Sequence, residues 1–240
     1  MITVSKEDYL KAILEAESEG QEVIAATLVH WLSVSAPAVT MALRRLKKDG
    51  LVRVQPDGRL QLTPSGREIA RRLTVRHHLI ERMLHEVFGM EWYKTHDEAE
   101  RLEHAVSADF EARLLQKLGR GGVCPHGNRM TPESPAMRKR RGLTQLAFAD
   151  PGCDYVVNSL YERDRRLLEF MDSRGIRPGA QVRIVDRNYD QTLTLTTDAG
   201  TVPLGGSAAE RVWVEAALSP HNGKVNSKRK SRTPPSGARK

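Results

Sequence analysis

Apolar residues recur at helical spacing in three segments of the first fifty residues. "VSKEDYLKAILEAE" places its apolar side chains on one stripe, "VIAATLVHWL" is a short apolar helix, and "SVSAPAVTMALRRLKKDGL" follows after a brief turn. Ser35 can cap the third helix, and Asp49-Gly50 ends it. The segment "LVRVQPDGRLQLT" then predicts two short strands around a turn at 56–58. Three helices followed by a hairpin are typical of a winged helix-turn-helix domain, which we assign to residues 1–64.

The third helix carries the side chains that a DNA recognition helix needs. Its start is small and polar, which suits base edges, and its end is basic, which suits phosphates. The hairpin adds Arg53 and Arg59. The alternative is a solvated basic helix in a domain without a DNA partner, but the hairpin directly after the helix favours DNA binding. The residues predicted to contact double-stranded DNA are Ser35, Ala36, Pro37, Thr40, Met41, Arg44, Arg45, Lys47 and Arg59.

The middle of the chain holds two longer segments of helical periodicity. The first, "TPSGREIARRLTVRHHLIERMLHEVFG", begins with a cap at Thr63 or Ser65 and runs to Gly89. The second, "KTHDEAERLEHAVSADFEARLLQKLG", is predicted as one continuous helix that ends at Gly119. We assign residues 65–142 to this helical domain.

Residues 143–218 have the pattern of a small β-barrel. "VVNSLYERDRRLLEFMDSRG" predicts a strand and then a short helix, capped by Asp164 and ended by Gly175. "QVRIVDR", "TLTLTT", "TVPL" and "RVWVEA" alternate apolar and polar positions, as strands do. The predicted fold class is therefore mainly α with small β elements.

The composition adds few constraints. At 240 residues, 39% hydrophobic and 28% charged, it is ordinary for a folded chain. No segment approaches the roughly 18 apolar residues of a membrane span, and the N-terminus lacks the apolar core of a secretory signal. We therefore expect a cytoplasmic protein with no membrane partner. Cys124 and Cys153 form no CxxC pair, so two ordinary thiols are favoured over a disulfide.

The net charge of +8 comes almost entirely from the last 22 residues. Residues 219–240 hold seven bases and no acid, whereas the rest of the chain holds 31 bases and 30 acids. This basic tail is polar and rich in Pro and Gly, so we predict that it is disordered. The sequence favours neither of its two interpretations, which are a solubilising extension and a segment that binds DNA phosphates nonspecifically.

The segment "HDEAERLEH" holds two histidines and four carboxylates in nine residues. At about 100° per residue, four of these side chains share one helix face. They are His96, Glu100, Glu103 and His104. On the preceding helix His77 and Glu81 also share a face. A single His–Glu pair is usually a weak surface interaction. Two such faces on adjacent helices favour a divalent metal ion, because a stripe of like charge requires a counterion.

A winged helix-turn-helix followed by "RHHLIERML", "HDEAERLEH" and "CPHGN" resembles the diphtheria toxin repressor family of metal-dependent transcriptional regulators. The resemblance covers residues 3–218. It implies a homodimer that, with metal bound, binds palindromic operator DNA and represses, or less often activates, genes of metal transport and homeostasis. It also implies that the C-terminal barrel is the SH3-like domain of the longer members.

The family pattern, carried over position by position, implies two metal sites. One consists of Asp8, Glu100, Glu103 and His104. The other consists of His77, Glu81 and His96, to which the SH3-like domain would lend Glu162 or, as the alternative, Asp164. The same resemblance assigns Cys124 and His126 to a structural loop, and makes His78 and His85 bystanders.

Two positions bear on the choice of metal. Asp8 and Glu100 stand where iron-type members have methionine and cysteine, and where manganese-type members have carboxylates. Carboxylates suit hard ions, so the resemblance implies Mn²⁺ as the cofactor. Fe²⁺ is the alternative, and Zn²⁺ or Co²⁺ can substitute in vitro. Manganese-type members often lack the SH3-like domain, so this chain combines features of both types. Met41 replaces a polar base reader, which leaves the operator sequence open.

The distribution of the ligands suggests how metal controls DNA binding. Asp8 belongs to the DNA-binding domain, whereas Glu100, Glu103 and His104 belong to the dimerisation domain, so an ion held by all four would fix the angle between the domains. The competing interpretations are a helical di-metal carboxylate enzyme and a DNA-binding module that ignores metal. The sequence offers no separate nucleophile and no signal of a small-molecule substrate pocket, so we do not expect an enzyme.

Overall fold

The computed structural model describes residues 4–119 and 121–217, with the side chains of residues 4 and 5 left aside. The predicted basic tail, 219–240, lies outside the described residues, as does the last residue assigned to the barrel domain. Within the described residues no single helix is long and apolar enough to cross a membrane. Only the second and third helices together pass that test of length and composition, and they are bent by 116°.

The N-terminal domain has the three helices and the hairpin that the sequence predicts. They are α1 (Val4–Ser18), α2 (Ala25–Leu32), α3 (Ala36–Lys48), β1 (Val52–Val54) and β2 (Leu60–Leu62). Leu10 and Ile13 of α1 pack against Leu28 and Leu46 in a common core. Ser35 caps α3 by accepting a hydrogen bond from the amide of Ala38 at 3.4 Å.

The helical domain begins at α4 (Pro64–Arg82), which Thr63 caps by accepting a hydrogen bond from the Gly66 amide at 3.1 Å. The helix continues as a π-helical turn, Met83–Val87, and Gly89 follows with a φ of 67°. A 3₁₀ turn, Trp92–Lys94, leads into α5 (Thr95–Leu102).

The prediction of one continuous helix from about residue 95 to Gly119 is wrong. Helix α5 ends at Leu102, and α6 (Ala108–Leu118) begins after five intervening residues. Ser107 explains the break, because its side chain accepts a hydrogen bond from the Phe110 amide at 3.2 Å and so starts a new helix. Glu103 and His104 therefore lie in the connection between two helices, where a helical projection does not place them.

The C-terminal domain is built on a six-stranded antiparallel sheet in the order β3-β8-β4-β5-β6-β7. It includes the predicted strands and the short helix capped by Asp164, whose Oδ1 accepts a hydrogen bond from the Leu167 amide at 3.0 Å. Its elements, which follow α7 (Pro135–Arg140) of the helical domain, are β3 (Thr144–Gln145), β4 (Asp154–Leu160), α8 (Arg165–Asp172), β5 (Gln181–Arg187), β6 (Leu193–Thr197), β7 (Gly200–Leu204), α9 (Gly206–Ala209) and β8 (Val212–Ala216).

This domain docks on both of the others. Trp92, from the helical domain, belongs to the barrel core and donates a hydrogen bond to Asp172 Oδ1 at 2.7 Å. In the other direction, Tyr161 packs against the core of the N-terminal domain. The end of β4 is consequently the place where all three domains meet.

Candidate metal centre

A buried cluster of donor atoms lies between α4, α5 and the end of β4. It consists of His77, Glu81, His96 and Glu162, whose donor atoms all lie within 4.8 Å of one another. His77 Nε2 lies 3.1 Å from Glu81 Oε1 and 3.0 Å from His96 Nδ1. Helix α4 brings His77 and Glu81 together because they are one turn apart. The structure thus brings together the whole predicted second ligand set.

Cys124 and His126 lie next to the two carboxylates of this cluster. His126 Nδ1 is 3.4 Å from Glu81 Oε1, and Cys124 Sγ is 3.5 Å from Glu162 Oε2. With His78, Cys124 completes a second group of four donors that shares Glu81 and Glu162 with the first. The interpretation of "CPH" as a purely structural loop therefore misses donors next to the metal cluster. The Cys-x-His spacing is the signal that could have found them.

A close backbone approach fixes that loop to strand β4. Gly127 has a φ of 83°, and a Cβ at this position would lie 1.9 Å from the carbonyl oxygen of Asn158. The carbonyl of His126 accepts a hydrogen bond from the Leu160 amide at 2.9 Å. Asn128 Nδ2 donates to Glu162 Oε2 at 2.6 Å and so orients that carboxylate. Only glycine fits at position 127, so the packing of this loop beside the buried donor cluster depends on Gly127 and on the contacts of His126 and Asn128.

The electrostatics of the buried cluster fit a divalent cation. Among the described residues, Glu81 Oε2, His78 Nδ1 and His126 Nε2 are buried without a hydrogen-bond partner. Burial favours the neutral acid, but the charges of His126 and His77 hold the pKa of Glu81 well below its ordinary value. Burial also opposes the charged imidazole, yet hydrogen bonds with Glu100 and Glu81 raise the pKa of His96 to about 10. A buried carboxylate needs positive charge beside it, which the histidines supply here and which a bound divalent cation would supply in their place.

A second cluster joins the N-terminal domain to the helical domain. Its members are Asp8 on α1, and Glu103 and His104 from the connection after α5. His104 Nε2 lies 2.7 Å from Asp8 Oδ1 and 3.7 Å from Glu103 Oε1, and His104 Nδ1 lies 3.2 Å from Glu7 Oε2. Burial raises the pKa of Asp8, although His104 opposes this. Two carboxylates and an imidazole form a donor set for a hard divalent ion.

Glu100 lies apart from the other three predicted members of this set. It lines the same open cavity, of about 460 Å³, but its carboxylate contacts His96 Nε2 at 3.5 Å and Arg163 Nη1 at 3.3 Å. Burial opposes its ionisation, yet the hydrogen bond with His96 lowers the pKa of Glu100. Its side chain is 42% exposed, so it has room to turn toward the cluster.

Lys11 lies between the two clusters. Its ammonium donates to both carboxylate oxygens of Glu103, at 2.8 and 3.0 Å, and lies 2.9 Å from His77 Nδ1. The side chain is only 4% exposed. Burial opposes the charge, but Glu15 and Glu103 raise the pKa of Lys11. A cation of this chain therefore already neutralises Glu103, one of the candidate ligands.

Replacing Lys11 with methionine should raise the Mn²⁺ affinity of the Asp8 cluster by at least about tenfold, because a positive charge a few ångströms from the ion disappears. Isothermal titration would measure this change. Lys6→Met is the control, because Lys6 is on the same helix but pairs with Asp49. If both variants bind Mn²⁺ as the parent does, Lys11 does not compete with the ion.

Three family models cover most of the chain. Residues 1–60 match the iron dependent repressor N-terminal DNA binding domain, 63–132 match the iron dependent repressor metal binding and dimerisation domain, and 144–216 match the FeoA domain. The diphtheria toxin repressor of Corynebacterium efficiens is 32% identical over 223 residues, which cover 87% of this chain and 94% of that protein. The chain belongs to the iron-dependent repressor family.

Other relatives agree on the family and differ in the metal they are named for. The iron-dependent repressor IdeR of Mycobacterium leprae is 32% identical over 221 residues, which cover 87% of this chain and 96% of that protein. A solved manganese-dependent transcriptional repressor in complex with manganese superposes with a TM-score of 0.79 and 32% identity, covering 88% of this chain and 100% of that one. The predicted resemblance to DNA-binding repressors, rather than to enzymes, is confirmed.

The recognition helix of this repressor presents its predicted DNA contacts to solvent. All nine residues named above, including Arg59 of the wing, are exposed, and Met41 is 49% exposed. Buried Val39 and Leu46 hold the opposite face of α3 against the domain core. Arg59 donates to Asp57 Oδ2 at 2.7 Å, so the tip of the wing is less basic than its sequence indicates.

The helical domain of the repressor also exposes apolar side chains. Phe88 is 68% exposed, Val87 48% and Phe110 42%. These side chains lie on the π-helical turn after α4 and on α6, within the residues that match the metal binding and dimerisation model. Because they lie within the residues that match the dimerisation model, they are candidates for a surface that the partner subunit covers.

Proposed function

We propose that this chain is a manganese-responsive repressor that acts in the cytoplasm as a homodimer. It binds a palindromic operator at genes of metal transport or homeostasis. Support for manganese comes from the chemistry of the Asp8 cluster, in which two carboxylates and one imidazole converge with no sulfur ligand. Such donors suit Mn²⁺ better than the softer first-row ions.

The residues that would hold the ions come from both clusters. Asp8, Glu103 and His104, with Glu100 turned toward them, are the proposed ligands of the site between domains. His77, Glu81, His96 and Glu162 are the proposed ligands of the buried site. A divalent cation bound between domains supplies the positive charge that draws the Asp8 and Glu103 carboxylates together.

The mechanism follows from where these side chains are anchored. Asp8 is on α1, which packs in the core beneath α3. Glu103 and His104 follow α5, which packs on α4 of the helical domain. An ion that holds Asp8 close to Glu103 and His104 would therefore hold α3 in one position relative to the helical domain. The proposed dimer surface, at Phe88 and Phe110, belongs to that domain. In a two-fold dimer this sets the separation of two recognition helices, which must match half-sites about one helical turn, roughly 34 Å, apart.

A second candidate is an Fe²⁺-responsive repressor of the same family. The specific observation in its favour is Cys124, a soft donor that contacts Glu162 at the buried cluster. Burial, with Glu81 and Glu162 close by, raises the pKa of this thiol well above its ordinary value, so it stays protonated unless a cation is present. A thiolate ligand at the buried site would favour softer ions there.

Titration with metal and DNA together tests the proposal. Mn²⁺ and, under anaerobic conditions, Fe²⁺ are titrated into the protein with and without an operator duplex, selected from a random-sequence library by the protein in the presence of that metal. Coupling is reciprocal, so each ion that activates DNA binding must itself bind more tightly in the presence of DNA. Tighter DNA binding with Fe²⁺ than with Mn²⁺, at equal saturation, would favour the second candidate. DNA binding that ignores both ions would contradict metal control.

A further inference from the structure

The three residues after strand β4 alternate between two environments. Tyr161 and Arg163 face the N-terminal domain, whereas Glu162 between them faces the buried metal cluster. The segment continues β4, and side chains that follow one another along an extended backbone point to opposite sides. Residues 161–163, called the coupling segment below, therefore join a candidate metal ligand directly to two contacts with the DNA-binding domain.

Arg163 makes a dense set of contacts with the DNA-binding domain. Its guanidinium donates to Glu15 Oε2 at 2.7 Å and to the carbonyl of Trp31 at 3.1 Å. Its Cζ also lies 4.8 Å from the centroid of the Trp31 ring, within the range of a cation–π interaction. Glu15 is on α1 and Trp31 on α2, so this one side chain binds both helices that support the recognition helix.

The ion pair between Arg163 and Glu15 is buried. The two side chains are 17% and 9% exposed, and the second carboxylate oxygen of Glu15 has no hydrogen-bond partner among the described residues. Loss of the guanidinium would leave this carboxylate with Lys11, 3.8 Å away, as its nearest cation. Breaking a buried pair from one side is costly, so Arg163 holds the two domains in one arrangement.

Tyr161 strengthens the same contact. Its ring lies edge-on to Trp31, with a centroid distance of 6.5 Å and an interplanar angle of 80°. The guanidinium of Arg211, at the start of β8, covers the Tyr161 ring at 4.5 Å. The coupling segment therefore contacts the C-terminal domain on one side and α2 on the other.

Glu162, unlike its two neighbours, contacts the donors of the buried cluster and not the DNA-binding domain. Its Oε1 lies 3.3 Å from His78 Nε2, and its Oε2 accepts from Asn128 and lies 3.5 Å from Cys124 Sγ. These contacts hold the carboxylate among the donors of the buried cluster. A side chain that becomes a metal ligand loses conformational freedom, and its immediate neighbours in the chain lose some of theirs.

We propose that Arg163, through Glu162 beside it, is a positioning residue for DNA binding. Metal bound at the buried cluster restricts the motion of the coupling segment, and the contacts of Arg163 then restrict the positions of α1 and α2. The inference rests on the proposed metal control. It assigns a function to the FeoA domain of the repressor, because this domain supplies both the candidate ligand Glu162 and Arg163. It also connects the buried cluster to the helices that support the recognition helix, and this contact acts together with the one through Asp8.

The test compares Arg163→Met with Arg163→Lys and with Arg166→Met. Arg166 is an exposed arginine three positions further on, so its replacement is the matched control. Two quantities are measured for each full-length protein: the ratio of operator-duplex affinity with and without saturating Mn²⁺, and the Mn²⁺ affinity without DNA. The duplex is one selected from a random library by the parent chain with Mn²⁺. Hydrogen exchange of the amides in α1 and α2, with and without Mn²⁺, reports the coupling without DNA.

We expect Arg163→Met to bind Mn²⁺ at least as tightly as the parent, because it keeps every candidate ligand and removes a cation that lies 3.3 Å from Glu100 Oε1. Its Mn²⁺-dependent gain in DNA affinity should fall by about tenfold or more, and Mn²⁺ should no longer slow exchange in α1 and α2. Arg163→Lys, which retains the charge, should recover part of both effects, and Arg166→Met should behave as the parent.

A full Mn²⁺-dependent gain in Arg163→Met, together with full protection of α1 and α2, would overturn the inference while leaving metal control intact. If the parent itself shows no Mn²⁺-dependent gain, the proposed function and the inference both fail. If the methionine variant does not fold, the lysine variant decides, because a parent-like gain and parent-like protection there would count against a role for the guanidinium contacts.

Discussion

Replacing Asp8 with alanine should abolish Mn²⁺-dependent DNA binding while the dimer stays intact. Asp8 is the only candidate ligand in the described part of the chain that the DNA-binding domain supplies, and it meets His104 of the helical domain at 2.7 Å. Without it, metal at that cluster no longer ties α1 to α5. We expect the Mn²⁺-dependent gain in operator affinity to fall by about a hundredfold or more, as the loss of a ligand implies.

The measurement is a gel shift with the selected duplex over a range of Mn²⁺ concentrations. Glu22→Ala serves as the control, because Glu22 is an exposed acid of the same domain, outside both clusters. Light scattering should find both variants as dimers, since the exposed apolar residues Phe88 and Phe110 are far along the chain from either change. A gel shift of Asp8→Ala that keeps its full response to Mn²⁺ would refute the proposed link between domains.

Replacing Glu81 with glutamine should abolish metal binding at the buried cluster. Glu81 is fully buried, and its Oε1 lies within 3.4 Å of His77, His96 and His126. The amide keeps the shape but removes the charge that a divalent ion needs, and it introduces N–H donors facing imidazoles. The variant should therefore bind about one Mn²⁺ fewer for each chain.

Thermal unfolding in the presence of Mn²⁺ gives an independent measure. A ligand at a hundred times its dissociation constant stabilises the folded state by about 2.7 kcal/mol for each site, so the loss of one site lowers the Mn²⁺-induced rise in the melting temperature. Glu68→Gln, an exposed change on the same helix, should leave that rise unchanged. Equal metal content in the two variants would mean that Glu81 is not a ligand.

Local signals predicted most of the fold, because the elements depend on nearby residues. The caps at Ser35, Thr63 and Asp164 are each formed by a side chain and an amide three residues later. The sheet of the third domain follows the alternation of its segments. The break between α5 and α6 was missed for the same kind of reason, because apolar periodicity continued across Ser107 and outweighed its capping signal.

The candidate site was less predictable, because it depends on contacts between distant segments. Helical spacing placed His77 beside Glu81 but also placed Glu100 beside Glu103, whereas the structure turns the Glu100 carboxylate to His96 and Arg163. The approach of "CPHGN" to β4, through Gly127, adds Cys124 and His126 to the cluster. The Cys-x-His spacing marks these two residues as possible donors, but it does not say which carboxylates they meet, since that depends on packing between two domains.

Under the proposed metal control, the buried ammonium of Lys11 would set a minimum metal concentration for the response. Because it is tethered beside Glu103 and His77, its local concentration never falls, and an incoming ion must displace it or tolerate its charge. At a trace concentration of metal the repressor would stay unable to bind DNA, and it would bind DNA only at a higher metal concentration. A change at this one position would therefore shift the concentration at which the repressor responds, without altering the set of ligands that selects the metal.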